Sequence, residues 1–255
     1  MPAAIRMKAF LASVLLVLAA SAAHAADCTQ FSPAGKAPAL TNPKLAVRTQ
    51  ALCYSEFEIL HSGVTHGPLW VAEHLTRAGL ADGRGLTRTN RFYEEVALPP
   101  ADRSRLSDYR RSGYDRGHMS PAGDRSTKQG MAESFSLANI VPQDRDNNRH
   151  QWAKIEQGVR KLAKSSGEVY VVTGPLFVGQ RIGTIGASRV LVPTQLYKVV
   201  YVPSRRMAFA VVLDNTDSAV AQYQSVREFE ALSGLAFPGI PDALKAQRSG
   251  GLNGV

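Results

Sequence analysis

The chain has 255 residues, of which 30 are Lys or Arg and 21 are Asp or Glu, so its formal net charge is +9. A chain of this length forms one large domain or two small ones. It contains neither an internal repeat nor a Pro- or Ser-rich linker, which excludes a repeat architecture and favours one domain over residues 26–248. The positive charge suits a polyanionic partner, although many exported proteins are basic for solubility alone.

The first 25 residues have the pattern of a signal peptide. Arg6 and Lys8 are basic, residues 9–20 are apolar, and Ala23-His24-Ala25 places small residues at a cleavage position. The alternative is a membrane anchor, but the apolar run is shorter than the ~20 residues that span a bilayer. No later segment reaches that length. We therefore predict cleavage after Ala25 and an exported protein, periplasmic or secreted, with no membrane partner.

The two cysteines of the chain are Cys28 and Cys53. In an oxidising compartment such a pair forms one disulfide, which ties the first residues to the early part of the core. A catalytic thiol and a metal site are the alternatives. The wide spacing, without a Cys-x-x-Cys pair or clustered histidines, disfavours both, so we predict the disulfide.

In chain order, the hydrophobic pattern predicts short strands and then a long helix. Residues 57–60 and 69–72 are typical of strands, and residues 73–77 continue the second one into a short helix or turn. Residues 90–100 are polar and contain Pro99-Pro100, which predicts a loop. Residues 147–164 form the clearest helix, with an apolar stripe at helical spacing made by Trp152, Ile155, Val159 and Leu162.

Beyond this helix the pattern is again typical of strands. Residues 169–173 predict a buried strand that ends at Gly174-Pro175. Residues 190–202 and 207–213 predict a hairpin around Pro203-Ser204-Arg205-Arg206. Residues 249–255 are glycine-rich and predict a flexible tail. Strands on both sides of a central helix, with few regular crossovers, predict the α+β class.

The run Tyr114-Asp115-Arg116-Gly117-His118 is the most informative motif in the chain. Gly117 permits a close backbone approach or an unusual dihedral angle, and Pro121 ends any regular element soon afterwards. Such a turn holds an imidazole in a fixed direction. With an ordinary pKa of about 6.5, the ring is mostly neutral near pH 7, as a general base for water requires. Arg116 can bind a phosphate through two N–H groups.

Two polar residues of the predicted helix could serve a metal ion. Asn148 lies near the helix start, and Glu156 lies ~12 Å further along the axis and about 80° around it. We therefore expect Asn148 to be the direct ligand and Glu156 to order a water of the ion. Mg²⁺ keeps several waters and needs few protein oxygens, and Mn²⁺ or another divalent cation is the open alternative. Taken singly, either residue is better explained as an ordinary helix residue.

These segments resemble the DNA/RNA non-specific endonucleases, the ββα-metal (His-Me finger) nucleases that include the Serratia-type secreted nuclease and endonuclease G. The resemblance rests on residues 108–121, which contain the Asp115-Arg116-Gly117-His118 block. It also rests on residues 139–156, from Asn139-Ile140-Val141-Pro142-Gln143 to Glu156. Shorter similarities at residues 69–73, 192–199 and 232–235 extend it over nearly the whole chain beyond the predicted signal peptide.

The resemblance implies a role for each matching residue. His118 is the general base and Asn148 the direct metal ligand. Glu156 is a catalytic residue that acts through a water of the metal, and Arg116 is both a catalytic and a substrate-binding cation at the scissile phosphate.

The resemblance also implies a substrate-binding set beyond Arg116. Arg160 matches an arginine that faces the active site, and Asn139 matches an asparagine with a supporting role in the cleft. Arg88 or Arg91 matches a further upstream arginine, and we take Arg88 as the candidate. Ser120 stands where many members have alanine, a departure that leaves the chemistry intact.

The implied fold is a central mixed or antiparallel sheet layered with helices. The implied activity is Mg²⁺-dependent hydrolysis of phosphodiester bonds in DNA and RNA, which leaves 5′-phosphate ends. In it His118 activates water and a metal ion on Asn148 stabilises the transition state. Two alternatives stay open: a nucleic-acid-binding protein without catalysis, and a phosphodiesterase for a non-nucleic substrate. The intact His118, Asn148 and Glu156 disfavour the first, and the basic charge disfavours the second. Monomer and homodimer are both compatible with the sequence.

Overall fold

The computed structural model describes residues 28–248 and 251–252. The predicted signal peptide and most of the predicted tail lie outside these residues. The strands are β1 (Ala39–Leu40), β2 (Thr49–Cys53), β3 (Glu58–Ser62), β4 (Gly67–Thr76), β5 (Asp115–His118), β6 (Ile140–Gln143), β7 (Glu168–Leu176), β8 (Thr184–Ile185), β9 (Val190–Leu191), β10 (Gln195–Val202), β11 (Met207–Asp214), β12 (Gln222–Gln224) and β13 (Leu235–Ala236). The α-helices are α1 (Arg77–Asp82), α2 (Leu106–Tyr109), α3 (Lys128–Glu133), α4 (Ala153–Ser166), α5 (Val226–Ser233) and α6 (Asp242–Lys245).

One antiparallel sheet has seven strands in the order β12-β11-β10-β7-β4-β3-β2. Its middle strands β7 and β10 are rich in valine and tyrosine, which suit a pleated, buried surface. The pairs β1–β13, β5–β6 and β8–β9 are separate from it. The predicted α+β class and the central sheet are confirmed, and this sheet is antiparallel rather than mixed.

The large sheet is buried on both faces, because successive residues of a strand point to opposite sides. One face packs against α4 through a cluster that includes Val171, Val200, Phe209, Val159 and Leu162. The other face packs against α5, α6 and the first described residues through a cluster that includes Trp70, Val199, Phe31, Phe229 and Leu244. The sheet is therefore the middle of three layers. The layer that contains α4 is on the same side of the sheet as the candidate site.

A hairpin and a helix place the motif residues. β5 and β6 are antiparallel, with His118 opposite Ile140 and Gly117 opposite Val141. A Cβ atom on Gly117 would overlap the side-chain amide of Gln143, so a glycine is required here by close approach. The π-helix Asn147–Trp152 leads directly into α4, so the predicted helix is confirmed but begins with a widened turn. Such π-turns are frequent at functional sites.

Two strands extend beyond their predicted ends. β4 continues through Glu73 to Thr76, because Glu73 is 1% exposed and accepts a hydrogen bond from the equally buried Arg125. β7 continues through Gly174-Pro175 to Leu176. Residues Gly174 to Leu176 pair with β10, whereas the pairing of β7 with β4 ends at Thr173. The proline therefore lies where one side of the strand needs no N–H donor.

The predicted hairpin is confirmed over β10 and β11, with Gln195 paired to Asp214 and Val202 to Met207. Its first five predicted residues do not belong to it, because Val190–Leu191 form β9 and pair with β8. Thr194 separates the two elements and its backbone N–H bonds to the Leu176 carbonyl.

The Cys28–Cys53 disulfide is present, with Cα atoms 5.9 Å apart, as predicted. Near the other end, Gly251 is buried and Leu252 is half-buried. Leu252 packs beside Gly158 of α4 and Tyr223 of β12. The flexible tail predicted for residues 249–255 is therefore wrong for these two residues. Within the described ranges, none of the helices has the length and apolar character that crossing a bilayer would require.

Candidate active site

A cleft of about 860 Å³ opens beside β5 and the π-helix. Its wall carries the guanidinium groups of Arg88, Arg91, Arg110, Arg116 and Arg149, together with Asn148. Among the described residues on this wall, Asp115 is the only acid. The cleft is therefore strongly electropositive, as a site for a phosphate backbone requires.

His118 ends β5, two residues after the cleft residue Arg116, and is 8% exposed. Its ring packs edge-on against Phe135, with centroids 5.1 Å apart, and lies 5.4 Å from Phe92. Within the described residues, its Nε2 atom has no hydrogen-bond partner. Burial lowers the pKa of His118 to about 3, assisted by the charges of Arg88, Arg125 and Arg116. The imidazole is therefore neutral at physiological pH.

The same two aromatic rings hold two arginines beside the imidazole. The Arg116 guanidinium lies 4.1 Å from the Phe92 centroid, and that of Arg88 lies 5.0 Å from the Phe135 centroid. Arg88 also donates from Nε to Asn90 Oδ1 at 2.7 Å. Arg91 lines the cleft as well. Of these two arginines, however, Arg88 is the one whose charge lowers the pKa of His118. This arrangement favours Arg88 over Arg91 as the upstream arginine.

Asn148 is oriented by the strand that carries His118. Its Nδ2 atom donates to Asp115 Oδ2 at 3.1 Å. Arg149 binds both oxygens of the same carboxylate, at 2.9 and 3.1 Å. Because the amide nitrogen is engaged, the Asn148 carbonyl oxygen is left available on the cleft wall. Asp115 therefore links β5 to the π-helix and fixes the direction of the predicted ligand.

Glu156 lies one turn into α4, outside the lining of the cleft. Its side chain is half-buried, and burial raises the pKa of Glu156 to about 7, against the opposing charges of Lys198 and Arg160. This position behind Asn148 agrees with an action through water rather than direct ligation.

Arg160 and Asn139 both lie outside the lining of the cleft. Arg160 Nη1 donates to Asp124 Oδ1 at 2.7 Å. Asn139 is fully buried. Its amide donates to the carbonyls of Ser120 and Ser134 and accepts from the Ser120 N–H, each at 2.9 Å. The side-chain amide of Asn139 therefore holds the turn after His118, which agrees with the supporting role that the resemblance implies.

The donor set fits a hydrated divalent ion with few protein ligands. No group of three or more His, Cys, Asp or Glu suited to a metal occurs in the described part of the chain. The available groups are the Asn148 carbonyl oxygen and, further back, the Glu156 carboxylate. Mg²⁺ commonly keeps most of its waters and takes one or two protein oxygens, so this sparse set suits it.

Several site residues have no local signal in the sequence. Phe92 and Phe135 are distant from His118 in the chain. A cluster of charged side chains near α4 joins residues from two strands, one turn and α4 itself. Asp115 could have been found, because it belongs to the motif and stands three residues before the histidine. Its bond to Asn148 depends on the tertiary contact between β5 and the π-helix.

The comparisons with known proteins agree with this geometry. A family model described as DNA/RNA non-specific endonuclease matches residues 37–242, so the chain belongs to that family. The crystal structure of the EndoG/EndoGI complex is similar, with a TM-score of 0.72 and 30% sequence identity, and the match covers 77% of this chain and 88% of that chain. The predicted family and ββα-metal fold are both confirmed.

Two relatives give the extent of the similarity. Nuclease EXOG of Homo sapiens is 35% identical over 210 residues, which are 74% of this chain and 57% of that protein. Nuclease C1 of Cunninghamella echinulata var. echinulata is 39% identical over 188 residues, which are 66% of this chain and 74% of that protein. The chain thus spans a little over half the length of human EXOG.

The predicted periplasmic or secreted location is contradicted by these relatives. Human nuclease EXOG is a mitochondrial nuclease by name, and so is a relative from Saccharomyces cerevisiae that is 41% identical over 49% of this chain. The location was inferred from the first 25 residues alone, and a basic, apolar N-terminal pattern is weaker than a match to proteins of known compartment.

Proposed function

We propose that the protein is a divalent-metal-dependent endonuclease that hydrolyses phosphodiester bonds in DNA and RNA. The observation that carries the proposal is the neutral His118, which packs against Phe92 of an electropositive cleft whose wall also carries Arg116, Arg88 and Asn148. Family membership supports it. Phosphate groups are common to DNA and RNA, so a cleft that binds them through guanidinium groups suits both.

Each residue has a separate task in this proposal. The His118 imidazole accepts a proton from the water that attacks phosphorus, because burial keeps the ring unprotonated. Arg116 and Arg88, held against Phe92 and Phe135, bind the phosphate oxygens and stabilise the charge that develops on them. Asn148 would hold a Mg²⁺ ion, with Glu156 ordering one of its waters. When bound, the ion supplies Lewis-acid stabilisation of the phosphate.

The test is incubation of the purified protein with plasmid DNA and with RNA, each in Mg²⁺ and in EDTA. We expect internal cleavage of both polymers in Mg²⁺ only, and fragments with 5′-phosphate ends. The His118→Ala protein should bind both polymers and cleave neither at a comparable rate, because loss of a general base costs ~10² to 10⁴ in rate. Binding without cleavage by the unmodified protein would instead support a nucleic-acid-binding protein. Cleavage of small diesters only would support a different phosphodiesterase.

A further inference from the structure

A group of charged side chains lies between α4 and the face of the large sheet that α4 covers. Its acids and bases are equal in number in the described structure: Glu73, Asp124 and Glu156 against Arg125, Arg160 and Lys198. Four of these six side chains form two ion pairs. Arg125 binds Glu73, and Arg160 binds Asp124 at 2.7 Å. Glu156 and Lys198 make no ion pair within 4.0 Å among the residues described. The charge of Lys198 lowers the pKa of Glu156 and also that of Glu73, which Arg125 already binds.

Lys198 is an unusual residue for its position. It lies on β10, an interior strand of the large sheet, and is 1% exposed. Its Nζ atom donates to Thr173 Oγ1 of β7 at 2.8 Å and lies 5.2 Å from the Trp152 ring centroid. Lysine is almost never fully buried without a charged partner, because burial disfavours its ammonium form.

The position of Trp152 indicates which acid the ammonium serves. Trp152 and Glu156 are four residues apart, and residues at this spacing on a helix are neighbours on one side. The ammonium group beside the Trp152 ring therefore lies on the side of the helix that carries Glu156. Among the charges that act on Glu156, Lys198 has the largest effect, ahead of Asp124, Arg160 and Glu73.

We propose that Lys198 is a positioning residue for Glu156, which it holds as a buried counter-charge behind the metal ligand Asn148. The inference rests on the proposed function, because Glu156 matters to catalysis only if it orders a water of the metal. Lys198 itself contacts neither substrate nor metal. Its effect should therefore appear as weaker metal binding and should vanish when Glu156 has lost its charge.

The test compares Lys198→Met with Lys245→Met. Met matches the length of the lysine chain and removes its charge. Lys245 is a similarly buried lysine, 7% exposed, but it lies on α6 across the sheet and pairs with Glu230. Mn²⁺ binding to the protein without nucleic acid, followed by electron paramagnetic resonance, gives a dissociation constant independent of turnover. We expect Lys198→Met to raise the Mn²⁺ Kd by about 10- to 100-fold, the range for lost supporting contacts of a metal site. Lys245→Met should leave it unchanged.

A double substitution separates a positioning role from a structural one. In a Glu156→Gln background, Lys198→Met should cause no further change in the Mn²⁺ Kd or in the Mg²⁺ concentration for half-maximal cleavage. Effects that multiply in the double variant would overturn the proposal, as would an unchanged Kd in Lys198→Met alone. If Lys198→Met fails to fold by circular dichroism, Thr173→Val takes its place, since it removes the hydroxyl that holds Nζ. A raised Kd then supports the proposal and an unchanged Kd overturns it.

The failure of the proposed function has a different result. In that case the unmodified protein would show no Mg²⁺-dependent cleavage of DNA or RNA. The role of Lys198 alone would be rejected by a different set of results. The unmodified protein would then cleave normally and Glu156→Gln would bind Mn²⁺ more weakly, while Lys198→Met would bind Mn²⁺ as the unmodified protein does.

Discussion

Around His118, two phenylalanine rings and three arginines create an environment that opposes protonation. The aromatic rings exclude water from the imidazole, and the nearby positive charges repel a proton. A base that stays neutral well below pH 7 can accept a proton over a wide pH range. It also gives up some basic strength, so the arginines that we propose to bind phosphate would also tune the proposed base.

This environment predicts the titration of His118. The pKa is lowered from about 6.5 to about 3, so the ring should remain neutral between pH 7.5 and 5 in the metal-free protein. In the unfolded chain the same ring takes up a proton near pH 6.5, so His118 lowers folding stability as the pH falls below that value. NMR of the imidazole signals, assigned with His118→Ala, checks this. A titration midpoint above pH 6 would contradict it.

The two helix residues should differ in their response to metal. Asn148→Ala removes the predicted direct ligand and should weaken Mg²⁺ affinity and turnover together. Glu156→Ala removes a group that acts through water and should lower activity by about 10- to 100-fold. Raising Mg²⁺ should restore Glu156→Ala further than Asn148→Ala. The neighbouring exposed residue gives a control, Gln157→Ala, which should behave as the unmodified protein. The reverse order of rescue would exchange the two roles.

At the scale of elements, the sequence predicts those that depend on periodicity and misses those that depend on distant partners. The α4 helix follows from the spacing of Trp152, Ile155 and Val159. The end of β4 was placed too early because Glu73 is charged, and its partner Arg125 is 52 residues away in the sequence. The residues of the candidate site fall into the same two groups. The motif identified His118 and Asn148, whereas Phe135 and Lys198 are brought to the site only by tertiary packing.

The disulfide ties the first described element to the sheet, and its removal should destabilise the fold. Cys28 is 7% exposed and packs in the same cluster as Phe31, while Cys53 ends β2. A loop of this size contributes ~3 kcal/mol in the chain-entropy estimate. Urea unfolding of Cys28→Ser/Cys53→Ser should give a correspondingly lower free energy of unfolding, with nuclease activity retained at 25 °C, because neither cysteine lines the cleft. Equal stability with and without the bond would contradict this expectation.

The whole molecule carries a net charge of +9, and the cleft concentrates part of it opposite a polyanion. Charge of this kind is not specific to a base sequence, because it acts on phosphates. It also makes affinity depend on salt, since each neutralised phosphate releases counterions.

This dependence gives a prediction for substrate binding in EDTA. The affinity for DNA should fall linearly on a log–log plot against salt concentration, and Arg110→Ala should reduce the slope by about 1. Arg110 lines the cleft and is exposed, whereas the control Arg227→Ala changes an exposed arginine on α5, across the sheet. Fluorescence anisotropy measures both slopes. Equal slopes for the two variants would place the bound strand elsewhere.

The packing of Leu252 against α4 has a practical consequence for the placement of a tag on this protein. Its side chain lies against Gly158, on the same helix that presents Glu156 to the site, and Gly251 fits closely beside Tyr223. A fusion joined directly after Leu252 would pull on the outer surface of that helix. A reporter fluorophore placed there would conversely sense its movement. Linkers at this end should therefore begin several residues beyond Leu252.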